Sequence, residues 1–286
     1  MVEEVLAKLV RGTESAILDC TVGEGGHALR ILERSKCFLV GIDKDEQLLE
    51  VARKRLVRYV GRFFLTKADF REARSVLALI GIPRVDGVLF DLGVSLRQLA
   101  DPSRGFTYWG DAPLDMRMDR TGSLTAADLL ETCTEEELER ILREYGEEKY
   151  ARSIARLIVA ERERRPLRTA RDLVELIYQA IPARARRTGG HPARRTFQAL
   201  RIAVNRELEG LDRAIEMAFY LTKPGGRVVV LSYHSLEDRV AKSVFRRMEA
   251  AGIASILERK PLTPTRAERE RNPRSRSAKL RAAALI

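Results

Sequence analysis

Residues 17–30 read ILDCTVGEGGHALR, an apolar run that breaks into three glycines and then passes straight into a helical pattern. Gly23, Gly25 and Ala28 satisfy G-x-G-x-x-[GA], and Asp43 follows about 20 residues on, where a dinucleotide fingerprint places its ribose-binding acid. A nicotinamide-dependent oxidoreductase is the first expectation. A second reading starts at Asp19, because methyltransferases announce the same loop with an acid at the strand end, in the pattern D-x-G-x-G-x-G. Asp19, Gly23 and Gly25 fit it, with Thr21 where the first glycine usually stands. In both classes the glycines let the backbone approach its ligand closely. In both, the helix N-terminus faces an anionic group, which for a methyltransferase is the methionine carboxylate. The plain alternative is a tight strand–helix turn with no ligand.

Working outward, short apolar runs alternate with helical patterns through the first third of the chain: 16–20, 38–43, 62–66 and 87–91. Between the second and third runs, Leu48, Leu49, Ala52 and Leu56 share one helical face. This alternation predicts an α/β fold with a parallel sheet. From about 125 to 181 only helices are expected, two of them opened by the capping boxes Thr134-x-x-Glu137 and Thr169-x-x-Asp172. GGHP (189–192) then precedes an amphipathic helix with Phe197, Leu200, Val204 and Leu208 on one face, and an apolar strand returns at 223–233. The expected organisation is a sheet domain over 1–104 and 196–286, interrupted by an all-helical insertion over 105–195 that recognises substrate. Residues 264–277 read as a loop.

At 286 residues with 45% hydrophobic side chains, the chain has ample core. No apolar segment approaches a membrane span, nothing reads as a signal peptide, and cytoplasm is the default expectation. Cys20, Cys37 and Cys133 are too scattered for a disulfide framework or a zinc site, and no metal is expected. Basic residues number 52 against 41 acids, a net charge of +11. The excess is clustered: Arg184 to Arg206 holds seven arginines and no acid, and Arg259 to Arg281 holds nine basic residues against Glu268 and Glu270. Such runs match a phosphate-binding footprint, or else a solvated arginine-rich surface. Arg194, Arg195, Arg201, Arg274 and Arg276 are the candidate RNA contacts.

The stretch LTKPGGRVVVLS (221–232) favours the methyltransferase reading, since a helix ending in K-P-G-G before an apolar strand is frequent late in enzymes dependent on S-adenosylmethionine. FDLGVSLRQL (90–99) then places Asp91 at the end of the fourth strand, where open α/β sheets bind ligands. An exocyclic amine conjugated to a ring is a poor nucleophile. A carboxylate there accepts its hydrogens, localises the lone pair and aims it at the methyl group. Amino-methyltransferases carry D/N/S-P-P-Y/F at this place, and here Asp91 keeps the acceptor without the prolines or the aromatic ring. Tyr108 or Trp109 is then nominated to stack on the base. Asp69 and Phe70, in KADF, stand where an acid and a ring hold adenine. Carbon-5 methylation of a pyrimidine is disfavoured, because no cysteine follows a plausible catalytic strand. His27 and His234 read equally as functional groups or as buried, hydrogen-bonded histidines. PLDMRMD (113–119) and YHSLEDR (233–239) read as ordered loops lining a cleft.

The strings ILDCTVGEGGH, DLGVSLRQL, RGFTY, PLDMRMD, HPARRTFQALRIAVNREL, PGGRVVVLSYHSLEDR and NPRSRSAKLRAA occur in this order. Together they make the chain resemble the bacterial ribosomal small-subunit methyltransferase H family, also called MraW, from about residue 2 to the end. The resemblance implies a Rossmann-like methyltransferase sheet and S-adenosylmethionine as cofactor. It implies methylation of the N4 amine of a cytidine in the decoding centre of 16S rRNA, with the small ribosomal subunit as partner and no membrane. Its cofactor positions carry over to Gly25, Gly26, His27, Asp43, Phe70, Asp91 and Gln98. The family's usual H-x-P-V segment has no counterpart in Met1-Val2-Glu3-Glu4. The competing expectations are an NAD-dependent oxidoreductase and a non-catalytic RNA-binding assembly factor. Oligomeric state stays open, a homodimer included.

Overall fold

The computed structural model describes residues 1–186 and 190–286. Its first elements are α1 (Val2–Leu9), β1 (Ala16–Asp19), α2 (Gly26–Arg34), β2 (Phe38–Asp43), α3 (Glu46–Arg55), β3 (Phe63–Lys67), α4 (Ala73–Leu79) and β4 (Val85–Asp91). A run of helices follows: α5 (Leu96–Ala100), α6 (Ala126–Thr132), α7 (Glu135–Gly146), α8 (Ala151–Arg162), α9 (Ala170–Ala180), α10 (Ala183–Arg186), α11 (Arg194–Asn205) and α12 (Leu211–Leu221). The chain closes with β5 (Thr222–Ser232), α13 (Ser235–Ala250), β6 (Ala254–Ile256), α14 (Arg266–Arg271) and β7 (Lys279–Leu285). Among the described residues no helix is long and apolar enough to cross a membrane.

One compact unit comprises residues 1–93 and 208–286. Its seven strands form one sheet in the order β3-β2-β1-β4-β5-β7-β6. Strands β1 to β5 pair in parallel, with Leu18 beside Val40 and Asp19 beside Leu89. The sheet is nevertheless mixed, because β7 runs antiparallel to both β5 and β6. That strand hides in the basic C-terminal run: Arg281 within it is buried and donates through Nε to Asp238 Oδ1 at 2.8 Å.

Alternation along each strand feeds two cores. Leu18, Val40, Val88, Phe90 and Val230 point to one face, covered by α4, α12 and α13 through Leu77, Ile215, Phe219 and Phe245. Ile17, Leu39, Leu89, Val229 and Leu231 point to the other, covered by α1, α2 and α3 through Leu6, Leu9, Ile31 and Leu49. Each such fully buried Leu or Phe contributes about 1.5–3 kcal/mol. Gly87 makes room for this packing, since a Cβ there would stand 2.7 Å from Leu9 Cδ1 and Leu9 would have to move.

The second unit spans Val94–Glu207 and has its own core of Leu138, Leu142, Ile154, Ile158, Leu173, Ile177, Phe197 and Leu200. Both sequence-read capping boxes form, at Thr134 and Thr169. The division falls at 93/94 and 207/208 rather than at 104/105 and 195/196. The reason is that α11 buries Phe197 and Leu200 among the helices, and Val94 and Leu99 pack there too. Leu208 does not share the face of α11: the helix stops at Asn205, Arg206 turns left-handed (φ 51°), and Leu208 packs on the sheet unit. PLDMRMD is an ordered loop, as read, and buries Leu114, Met116 and Met118. Asn205 fastens it, accepting from Met118 N at 2.6 Å and donating to Met116 O at 2.7 Å. Two other loop readings are corrected. YHSLEDR forms the start of α13, with His234 as N-cap, and 264–277 holds α14 and a 3-10 turn at Pro273–Ser277.

Candidate active site

Strands β1 and β4 are the neighbours at which the sheet order reverses, so the crevice beyond their carboxyl ends is the expected ligand site. The glycine loop enters it from β1. Gly25 (φ 76°) is the N-cap of α2, contributes no side-chain cap, and leaves first-turn N–H groups for an anion; Gly26, exposed, opens the helix. Gly25 also backs onto α3, where a Cβ would stand 3.2 Å from Ala52 Cβ. Asp43 braces the loop from the end of β2: its Oδ2 accepts from Gly23 N at 2.8 Å and its Oδ1 from Asp45 N at 2.9 Å. Each oxygen keeps a further acceptor site, which is what a vicinal diol needs.

Asp91 is the most constrained group in the crevice. Its N–H donates to Thr21 Oγ1 at 2.6 Å, the Tyr233 hydroxyl donates to Oδ1 at 2.9 Å, and His27 Nε2 lies 3.2 Å from Oδ2. The fixed carboxylate still shows 25% of its side chain to solvent, against 13% for His27. Thr21 therefore replaces the usual first glycine with a purpose, because its hydroxyl ties β1 to β4. Tyr233 was not nominated from the sequence. It follows the last residue of β5, beside β4, and the strand-end rule applied to β5 would have pointed to it.

The crevice is acidic. Burial pushes the Asp19 carboxyl up to about 7, with His27 and the Thr21 N–H opposing and Asp91 and Asp43 adding to the rise. Burial likewise pushes Asp43 up to about 6 against the hydrogen bonds from Asp45 and Gly23. For His27, burial pulls downward, but the bond and charge of Asp91, with Asp19, win and raise it. Its Nδ1 is buried without a hydrogen-bond partner. S-adenosylmethionine carries a sulfonium and an ammonium, a ribose diol and an adenine. Carboxylates, the two open acceptor sites on Asp43 and the ring of Phe70 match these in kind, so the residues present fit that cofactor.

Phe70 is buried and meets Phe90 edge-on at 6.3 Å, with Lys44 and Arg71 over its ring at 5.8 Å each. Asp69 does not stand open for adenine: Arg71 donates to both of its oxygens and Lys44 lies 2.9 Å from Oδ2. Burial raises its pKa, but these two cations hold it well below the usual carboxylate range. Gln98 falls in the second unit, buried, where its Oε1 accepts from Ser95 N at 2.9 Å in a capping box. Among the cysteines, burial raises the thiol pKa of Cys20, Cys37 and Cys133, and Asp19 lifts Cys20 further. A thiolate nucleophile for carbon-5 chemistry is thus disfavoured on physical grounds as well.

Arg194, Arg195, Arg274 and Arg276 are exposed. Arg201 is not: it holds Glu207 in a two-pronged pair at 2.8 Å and 2.8 Å, which fastens the end of α11. In the first arginine cluster, Arg187 lies outside the described residues, as does Gly189 of GGHP.

Comparison with known proteins agrees with this geometry. The model of the MraW methylase family matches residues 1–286. The ribosomal RNA small subunit methyltransferase H of Thermotoga neapolitana is 51% identical over 290 residues, covering 100% of this chain and 95% of that protein. Its namesake from Symbiobacterium thermophilum is 47% identical over 299 residues, covering 99% and 94%. These matches set aside the oxidoreductase reading of the glycine loop. The protein is a methyltransferase dependent on S-adenosylmethionine, and the chain belongs to the MraW methylase family.

Proposed function

We propose that this enzyme methylates the N4 amine of a cytidine in the decoding centre of 16S rRNA, with the helical unit contributing substrate recognition. The observation that carries the reading is the Asp91 carboxylate, held by Tyr233 and His27 at the sheet's switch point with acceptor capacity to spare, while Thr21 anchors the Asp91 backbone N–H. A ring amine delocalises its lone pair. Asp91, by accepting an N–H of that amine, returns electron density to nitrogen and aims it. S-adenosylmethionine, when bound, supplies the electrophilic methyl group. As the new N–C bond forms, the sulfonium–methyl bond would break to leave a neutral thioether, nitrogen becomes cationic, and Asp91 takes the proton it sheds. His27 and Tyr233 keep the carboxylate from turning away and share its charge. The names of the relatives, ribosomal RNA small subunit methyltransferase H, support the 16S rRNA as partner.

The test is methyl transfer to small subunits or free 16S rRNA, followed by nucleoside mass spectrometry. The expected product is N4-methylcytidine at a single site, lost with Asp91→Asn. A methyl group on carbon 5 or on a ribose oxygen overturns the reading.

A further inference from the structure

Tyr108 and His191, in the helical unit, lie in a near-parallel stack with ring centroids 4.4 Å apart and planes at 13°. Trp109 meets the same imidazole edge-on at 4.8 Å, and Tyr178 does so at 6.0 Å. The Arg186 guanidinium sits 5.5 Å from the centre of the Tyr178 ring. Only part of this assembly serves the core: Tyr108 meets Phe197 edge-on at 5.8 Å. Trp109 stays 66% exposed and Tyr178 37% exposed, so two large rings are left to solvent next to one another's partners. A single exposed ring is ordinary; three rings gathered around one imidazole, two of them uncovered, are not.

The stretch from Arg184 to Arg206, which carries His191, has charge of one sign, while Glu175 stands exposed on α9 three residues before Tyr178. Arg171 is neutralised by Asp111, at 2.6 Å and 3.0 Å. Arg184, Arg194 and Arg195, by contrast, are exposed, and among the described residues no carboxylate pairs with them. Arg194 opens α11 three residues after His191, in a stretch without an acid from Arg184 to Arg206. Burial lowers the pKa of His191, so at neutral pH the imidazole is an uncharged ring in the stack.

We propose that Tyr108, Trp109, Tyr178 and His191 form a stacking platform for an unpaired nucleobase of the RNA substrate, with Arg186, Arg194 and Arg195 meeting its phosphates. Flat aromatic faces bordered by free guanidinium groups are the chemistry of single-stranded RNA, since every base has a π-face and every nucleotide brings an anion. A duplex hides its bases and gains only the phosphate contacts. The proposal rests on the RNA-directed reading above and adds to it residues that hold an unpaired base of the strand.

The chain has one tryptophan, so Trp109 fluorescence reports on the platform directly. The wild-type protein is titrated with a short single-stranded oligoribonucleotide and with the same strand annealed to its complement. Saturable quenching by the single strand, and less by the duplex, is expected. Trp109→Ala should weaken single-strand binding about tenfold to a hundredfold, with Trp109→Phe restoring most of it. Because Trp109 is largely exposed, its removal leaves the unit's core in place, and unchanged S-adenosylmethionine affinity checks that the protein is intact. Wild-type RNA affinity in Trp109→Ala, or no quenching at saturating RNA, overturns the platform. So does quenching by a ribosomal protein in place of RNA. If N4-methylcytidine still forms in those cases, only the platform falls; if the wild type methylates no rRNA, the functional reading falls instead.

Discussion

The Tyr233 hydroxyl donates to Asp91 Oδ1 at 2.9 Å, joining the residue after β5 to the last residue of β4. Burial, with Asp91 beside it, drives the phenol's pKa upward, so Tyr233 remains a proton-bearing donor across the working range. A donor of this kind stabilises the ionised carboxylate. Tyr233→Phe should therefore leave the Asp91 carboxylate less firmly held and lower the single-turnover rate about tenfold. Cofactor affinity should change little. A rate equal to wild type would leave Tyr233 as packing only.

Asp91→Asn keeps the shape, removes the charge and presents a competing donor to the amine. At saturating S-adenosylmethionine, turnover should fall by about a hundredfold or more, the scale of losing one preorganised electrostatic contact. A residue that only binds cofactor would leave kcat intact under those conditions. Single-turnover methyl transfer to rRNA separates the two, and a rate within a few-fold of wild type removes Asp91 from the chemistry.

Asp43 holds Gly23 in place, and as the candidate ribose acceptor it would have a second task. Asp43→Ala should weaken S-adenosylmethionine binding by about 1–3 kcal/mol, the range for charge-assisted hydrogen bonds. Calorimetry with S-adenosylhomocysteine measures it without turnover. Unchanged affinity would count directly against the assignment.

Arg194 and Arg195 should behave differently from Arg201. Replacing the exposed pair by Glu should weaken RNA binding and flatten its salt dependence, because phosphate contacts release counterions. Arg201→Glu instead sets two acids against each other at Glu207, and its effect should appear in thermal stability. A salt slope unchanged in the Arg194→Glu, Arg195→Glu variant makes these arginines ordinary surface.

Much of the sheet was legible because strand ends coincide with residues that carry both local structure and chemistry. Asp43 and Asp91 terminate β2 and β4, so an apolar run stopped by an acid marked the end of each element and a candidate site residue together. What escaped depended on long-range pairing. β7 carries Arg281 at a position that reads as surface until Asp238, some 40 residues away on α13, neutralises it. Tyr233 was hidden for the same reason, since its partner is Asp91, far off in sequence. The unit boundaries shifted because amphipathicity tells that α11 has a buried face but not which core receives it. Arg201 and Arg194 likewise look alike in a basic run; only Glu207 distinguishes them.

The acidic crevice makes pH a probe of the cofactor site. Asp19 and Asp43 are raised from 3.8 to about 7 and about 6, so the folded protein holds protons there that the unfolded chain releases. Between about pH 4 and about pH 7 these two groups make the ligand-free protein less stable as pH rises. The depressed carboxyls, such as Asp115, Asp172 and Asp238, act in the opposite sense and at lower pH: their stabilisation is lost as pH falls through their folded values. Thermal melts of the ligand-free enzyme should thus decline from mildly acid to neutral pH, and Asp19→Asn should flatten that decline. A cationic ligand favours the ionised carboxylates and should expel protons on binding near neutrality. The apparent calorimetric enthalpy of S-adenosylmethionine binding at about pH 6.5 should then vary with the buffer's own ionisation enthalpy. Buffer-independent heats, together with an Asp19→Asn melt profile parallel to wild type, would show that these carboxyls are already ionised and that the crevice attracts its cofactor without a proton exchange.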